Sequence, residues 1–246
     1  LDDHLDPVLP PGKPAPGDAL LYVNYFGLKQ ATMERLATTV PHLIADNVQA
    51  FYAPVPQGAD AFTSCRKFFG VSDGAYLHCE AAQGMAFGPV DATGRWAHLL
   101  TAATEGTEAG FPLYQEHERR LAEAPVRAMS HRTARVMAGL DHARFMATRQ
   151  RNRDHLHAAL RDRNRLPIDP GAAGVPMVYP FLSGDRGLRE RLLAARIYTA
   201  RYWPGLLAPL SPSDGARRFA NDVVYLPVDQ RYDTEQMDRI LSVIIG

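Results

Sequence analysis

Between Asp46 and Lys67 one short stretch carries a carboxylate, an amide, a hydroxyl, a guanidinium and a primary amine. A lysine amine can condense with a carbonyl carbon to form a Schiff base. A carboxylate can keep a ring nitrogen protonated, and a hydroxyl with a guanidinium fork suits a phosphate. Asp46 would supply the carboxylate and Lys67, 21 residues later, the amine. Gln49 would lie near a ring hydroxyl, and Ser64 and Arg66 would reach a phosphate. Spacing alone does not single these residues out, because an Asp and a Lys at such a distance occur in most proteins.

Something must hold them together, and the apolar runs say what. ALLYVNYFG reads as a strand buried on both faces of a parallel sheet. A helix follows over Gln30 to Thr39, with Met33, Leu36, Ala37 and Val40 on one face. HLIAD, DAFTS and GAYLHCE extend the sheet as further apolar stretches. Strand, helix and strand at this spacing predict an α/β fold, a mostly parallel sheet flanked by helices. Ligands of such sheets bind beyond the carboxyl ends of the strands. Asn24, Asp46 and Ser64 all fall at strand ends and could converge there.

From Trp96 to about Arg165 the pattern turns helical, and a long connecting helix is the simple reading of MSHRTARVMAGLDHARFMATRQRNRDHLHAALRDR. Its arginines from Arg144 to Arg165 alternate with acids and polar residues, as on a solvated or interface face. PMVYPFLSG, IYTARYW and NDVVYLPVD read as strands. GLRERLLAAR and TEQMDRILSVII read as helices, the second opened by Thr234 as N-cap. The expected organisation is an extended, proline-rich lead-in over 1–17, a large domain over 18–125, connecting helices over 126–165 and a small C-terminal α+β domain over 166–246.

Composition excludes other classes of function. Lys plus Arg equals Asp plus Glu at 27 each in 246 residues, which gives no electrostatic reason for a nucleic-acid or anionic-membrane partner. There is no apolar run long enough to span a membrane and no signal peptide. Cys65 and Cys79 lack metal-ligand or disulfide-framework spacing, so buried thiols in a reducing cytoplasm are expected. Among nine histidines, His155 and His157 are two apart on a helix and face different sides, while His131 and His142 show no ligand pattern. Surface histidines and no metal site are expected.

The segment AFTSCRKFFGVSDGAYLHC resembles the lysine-bearing segment of the DegT/DnrJ/EryC1/StrS group of fold-type-I aminotransferases. In one branch of that group Ser-x-Arg-Lys-Phe/Trp-Phe-Gly-Val-x-Asp-Gly-Ala surrounds the Schiff-base lysine. LLYVNYFGLKQ, LIADNVQAFY, RQRNRDHLHAAL, RIYTARYWP and VVYLPVDQRYDTEQMDRI resemble further family segments in the same order, so the resemblance runs over residues 18–246. Cys65 stands where an aromatic is more usual, and Tyr202 where a histidine often precedes the Trp-Pro pair.

The resemblance implies the pyridoxal 5'-phosphate (PLP) fold of type I and PLP as cofactor. Lys67 would then be the Schiff-base lysine and Asp46 the partner of the ring nitrogen, with Gln49, Ser64, Arg66 and Asn24 around the cofactor. It also implies a homodimer with shared active sites and transfer of an amino group from an amino acid, commonly glutamate, to a keto group, often on a nucleotide-linked sugar. Family members carry a Gly/Ser/Thr-rich phosphate-binding turn ahead of the segment that opens this chain. The chain begins at Leu1, so a fragment or a natural short form is expected. Two alternatives stand beside the aminotransferase: a PLP-dependent lyase or dehydratase, and a non-catalytic homologue or binding subunit. The sugar dehydratases of the family replace the lysine by histidine, and Lys67 speaks against them. Trp203 and Pro204 would border a substrate pocket or serve as packing.

Overall fold

The computed structural model describes residues 17–168, 174–203 and 215–246, with positions 15, 205, 208 and 211. The lead-in over 1–17 and Pro204 therefore fall almost wholly outside the described residues. The chain forms an α/β structure whose four-stranded sheet has the order β1-β2-β3-β4. Strands β1 (Leu20–Val23), β2 (Leu43–Asn47) and β3 (Asp60–Thr63) run parallel, and β4 (Leu77–His78) pairs antiparallel with β3.

Helix α1 (Gln30–Thr39) follows β1 and covers one face of the sheet. Its Met33 and Leu36 pack on Tyr22, Leu43, Ala45 and Ala61, with Ala37 and Val40 at the edge. Alternation along β2 buries Leu43, Ala45 and Asn47 and leaves Ile44 and Asp46 half-buried, as a period of two requires. The ladder does not stop with the strands: Asn24 N–H donates to Asp46 O at 3.0 Å, holding the end of β1 against the end of β2.

Several expectations are corrected. The connection from β2 to β3 holds turns and no helix. GAYLHCE forms only two strand residues. The helical region is four helices: α2 (Ala97–Thr104), α3 (Thr107–Ala122), α4 (His131–Ala138) and α5 (His142–Leu160). The expected long helix breaks at Gly139–Asp141, where Asp141 accepts from Arg144 N–H and caps α5. IYTARYW is not a strand and makes one isolated bridge, Ala200 to Tyr225.

Strands β5 (Val178–Phe181) and β6 (Val224–Pro227) pair antiparallel, with α6 (Leu188–Ala194), α7 (Gly215–Asp222) and α8 (Thr234–Ile245) beside them in sequence. Tyr179, Phe181, Val224 and Leu226 face a core made with Leu156, Leu160, Leu188, Leu192, Met237 and Ile240. Val178 and Tyr225 face the other way, into an aromatic core with Phe26, Phe68 and Met177. The N-cap of α8 is Asp233 rather than Thr234: its carboxylate accepts from Glu235 and Gln236 N–H, and Gln236 Oε1 accepts from Asp233 N–H.

Candidate active site

Asp46 lies near the carboxyl end of β2, and Lys67 lies in the turn that follows the neighbouring strand β3. Asp46 is the fourth residue of β2, in register with Phe62 of β3. Lys67 ends a 3-10 turn, Cys65–Lys67, that follows β3 after Ser64.

Asp46 Oδ1 accepts from Val48 N–H at 3.0 Å, an Asx turn that aims the carboxylate along the strand end. Burial pushes Asp46 above the usual carboxylate range, against the pull of that backbone hydrogen bond. Its charge in turn adds to the burial that raises Tyr25. Gln49, 7% exposed, has Oε1 buried without a hydrogen-bond partner among the described residues, as is Asn47 Nδ2. Buried polar atoms are normally satisfied, so an acceptor left open three residues from a half-buried carboxylate is the kind of vacancy a polar ligand fills.

Asn24 is fully buried. Its Nδ2 donates to Gln30 Oε1 and to Asn47 Oδ1, both at 3.2 Å, and its Oδ1 accepts from Lys29 N–H at 3.0 Å. Its amide thus holds β1's exit, the start of α1 and the end of β2 together. Just beyond, Phe26 sits fully buried at φ +58°, a left-handed conformation costly for an aromatic residue, and its carbonyl accepts from Met177 N–H.

The turn that carries Lys67 is fixed from below by Asp73 and Gly74. Asp73, 5% exposed, accepts from Ser72 Oγ, Ser130 N–H and Ser130 Oγ at 2.8–2.9 Å, which ties the turn to the N-terminus of α4. Gly74 has φ +106°, and a Cβ there would meet Thr133 Cγ2 at 3.0 Å; its carbonyl accepts from Cys65 N–H. Cys65 is fully buried, and burial pushes its thiol up to about 11, so it is a packing residue rather than a nucleophile; Cys79 is only partly buried.

Lys67 reaches solvent at the rim of a cavity of about 400 Å³ whose wall includes Arg149, Tyr202, Tyr225 and Gln230. Crowding by protein atoms, then the charge of Arg66, push its amine below the usual lysine range. Arg66 is ion-paired with Glu118 on α3. Ser64 is half-buried at the N-cap of the turn and makes no side-chain cap there. Asn24, Asp46, Gln49 and Ser64 do not line that cavity, so the structure forms two groups: the β1–β2 ends around Asn24, Asp46 and Gln49, and the Lys67 cavity.

The residue that sequence reasoning missed is Arg149. Instead of lying on a solvated face, it is 2% exposed, and Arg153 is 6% exposed. Arg149 donates to the carbonyls of Phe68, Pro176 and Met177 and to Gln230 Oε1 at 2.7–3.3 Å. Gln230 Nε2 also donates to Phe68 O, at 2.6 Å. The histidines differ from expectation too: His98 and His117 are buried and stacked, with ring centroids 4.6 Å apart, and His117 Nε2 lies 2.6 Å from Ser72 O. His142, His155 and His157 hydrogen-bond Tyr52, Asp238 and Tyr179. Trp203 packs edge-on against Tyr25, 5.5 Å between ring centroids.

The fold has solved counterparts. AtS13 from Actinomadura melliaura superposes with a TM-score of 0.56 at 16% identity, over 92% of this chain and 65% of that one. The aminotransferase TlmJ from Streptoalloteichus hindustanus gives 0.52 at 17% identity, over 92% and 64%. DesI, solved in the presence of its TDP-sugar product, gives 0.54 at 16% identity, over 92% and 61%. The chain thus spans under two thirds of the length of each of these structures, and at such identities the likeness is one of fold. No protein-family model matches the chain. No curated protein matches it either. Among the described residues, no helix is long and apolar enough to cross a membrane.

Proposed function

We propose that the chain is part of a PLP-dependent aminotransferase of the DegT/DnrJ/EryC1/StrS group, moving an amino group from an amino acid such as glutamate to a keto group on a nucleotide-linked sugar. The observation that carries this reading is that Asp46, near the carboxyl end of β2, and Lys67, in the turn just past β3, lie at the same edge of adjacent parallel strands, in a fold shared with solved aminotransferases. DesI's TDP-sugar product supports the choice of acceptor class by analogy.

The residues present fit PLP. A half-buried carboxylate raised by desolvation gains from a protonated ring nitrogen, and the open Gln49 Oε1 can accept from a ring hydroxyl. When bound, PLP supplies an electron sink that makes the donor's α-hydrogen acidic. Lys67 would hold the cofactor covalently through Nζ and, when its amine is free, would move a proton between the donor's α-carbon and the cofactor carbon. The lowered basicity of Lys67 raises the neutral fraction of its amine. Asp46 keeps the ring nitrogen protonated. Ser64 donates its hydroxyl to the phosphate, and Arg66 adds charge from its ion pair with Glu118. Asn24 acts on the site by fixing Asn47 and the strand end.

The reading includes a cytoplasmic homodimer with shared sites, a cofactor domain over 18–125 and a small domain over 166–246. Exposed Leu77, Phe111, Leu113 and Tyr114 offer apolar surface for a subunit contact. The protein carrying this chain, mixed with PLP, should absorb near the visible edge, and borohydride should lock the label on Lys67 in peptide mapping. A colourless protein with no labelled lysine rejects the enzyme reading in favour of a binding subunit. Lys67→Ala should abolish the absorbance.

A further inference from the structure

Beside the start of β6 lies a second cavity of about 510 Å³. Val224 lines it, whereas Tyr225 and Pro227 line the Lys67 cavity, and the two cavities share no lining residue. Four arginines border it: Arg165, Arg186, Arg189 and Arg201.

Three of the four, Arg165, Arg186 and Arg201, make no side-chain hydrogen bond or ion pair among the described residues. Arg189 is anchored, donating to Ala200 O and Val223 O at 3.3 and 2.9 Å. Burial lowers Arg189 below its ordinary value, and the charge of Arg201 lowers it further, so the two guanidiniums crowd each other. Arg165 lies flat against the backbone because position 184 is glycine: a Cβ there would meet its guanidinium at 2.7–3.0 Å, and Gly184 has φ +83°.

Acids are present in the wall but are partly spent. Asp185 accepts from Arg191 at 2.7 Å and from Gly187 N–H at 2.9 Å, and Asp222 accepts from Asn221 at 2.9 Å. Glu190 also faces the cavity and adds its charge to that around Arg189. Four guanidiniums against these three carboxylates leave an excess of forked donors around a space large enough for a small organic ligand.

We propose that this cavity binds a diphosphate-bearing small molecule, held by Arg165, Arg186 and Arg201 with Arg189 at its floor. A guanidinium fork matches two phosphate oxygens, and several forks around one cavity match a diphosphate better than a single carboxylate. The site stands independently of the aminotransferase reading, since it shares none of the residues assigned to PLP.

The test is calorimetric titration of the full protein, without PLP, with inorganic pyrophosphate and separately with citrate at low ionic strength. Pyrophosphate is expected to bind, to weaken at least about tenfold in Arg165→Gln and in Arg201→Gln, and to bind unchanged in Lys67→Ala and Ser64→Ala. All three arginines other than Arg189 are exposed, so these variants should fold. Asp222→Asn, which removes a negative charge from the wall, should tighten binding. Absence of binding, parent-like affinity in either arginine variant, loss in Lys67→Ala, citrate binding as tightly as pyrophosphate, or no gain in Asp222→Asn would each overturn the assignment.

Discussion

The guanidinium carbon of Arg149 lies 4.5 Å from the ring centroid of Phe68, the residue next to Lys67, and the same guanidinium donates to the Phe68 carbonyl. A cation buried this fully without a carboxylate hydrogen-bonded to it is stabilised by carbonyl dipoles and a ring face. Asp229 and Tyr52 add favourable charge, but burial dominates and pushes Arg149 down to about 10.

Arg149→Met keeps the volume and removes every donor. The carbonyls of Pro176 and Met177 would then be buried without that partner, and each such loss costs about 1–3 kcal/mol. Urea unfolding should show a loss of about 3 kcal/mol or more. Arg149→Lys should recover only part of it, because one ammonium cannot span the four acceptors.

Asp46→Asn separates stability from function. Burial raises the Asp46 pKa, so the native state holds a proton that the unfolded chain has released, and stability falls as pH rises from the ordinary carboxylate value through the raised one. The amide keeps an oxygen for Val48 N–H and carries no charge. The variant should be as stable as or more stable than the parent at pH 7, show a flatter stability profile across that window, and lose PLP-dependent activity. A clear drop in stability at pH 7 would show that the Asp46 charge is paired in the fold.

The stacked pair His98 and His117 gives the opposite slope. Burial lowers both; Arg66 and Arg95 lower His117 further, while Asp73 and the Ser72 carbonyl oppose. The unfolded chain takes up protons near 6.5 before the native one does, so stability should fall as pH drops below that value. His98→Gln should flatten the fall, read as urea midpoints between pH 7 and pH 5.

Asp233→Ala tests the cap of α8. It removes the carboxylate that accepts from Glu235 and Gln236 N–H, leaves the bond from the residue 233 N–H to Gln236 Oε1 in place, and should cost about 1 kcal/mol in urea unfolding. Thr234→Ala should cost less than half as much. Equal losses would restore Thr234 as the cap.

Much of the frame was legible because local pattern and tertiary role agree there. Helix α1 occupies the span its apolar periodicity predicts, with Met33 and Leu36 buried. Strands β1, β5 and β6 sit inside the expected runs, and β2 runs one residue past its own, to Asn47. The break between α4 and α5 was missed because Met137, Leu140 and Phe145 keep helical spacing across it; Gly139 and Asp141 were the signal. IYTARYW has strand composition, yet only Ala200 finds a partner on β6, whose other edge β5 already pairs. Arg149 was hidden in a run of similar residues, since burial of one arginine among many depends on carbonyls far along the chain. Asp46, Lys67 and their neighbours stood out through a sequence pattern. Asp73 and Gly74 belong to the same pattern, and their hydrogen bonds and backbone geometry show what that part of it builds.

The hydrogen bonds of Arg149 and Gln230 to Phe68 O join positions 81 and 162 residues apart. During synthesis, a ribosome must release the chain past residue 230 before the turn at Lys67 acquires these two donors. Until then that turn lacks the Gln230 donor, so loss of the last elements would be felt at Lys67, far away in sequence.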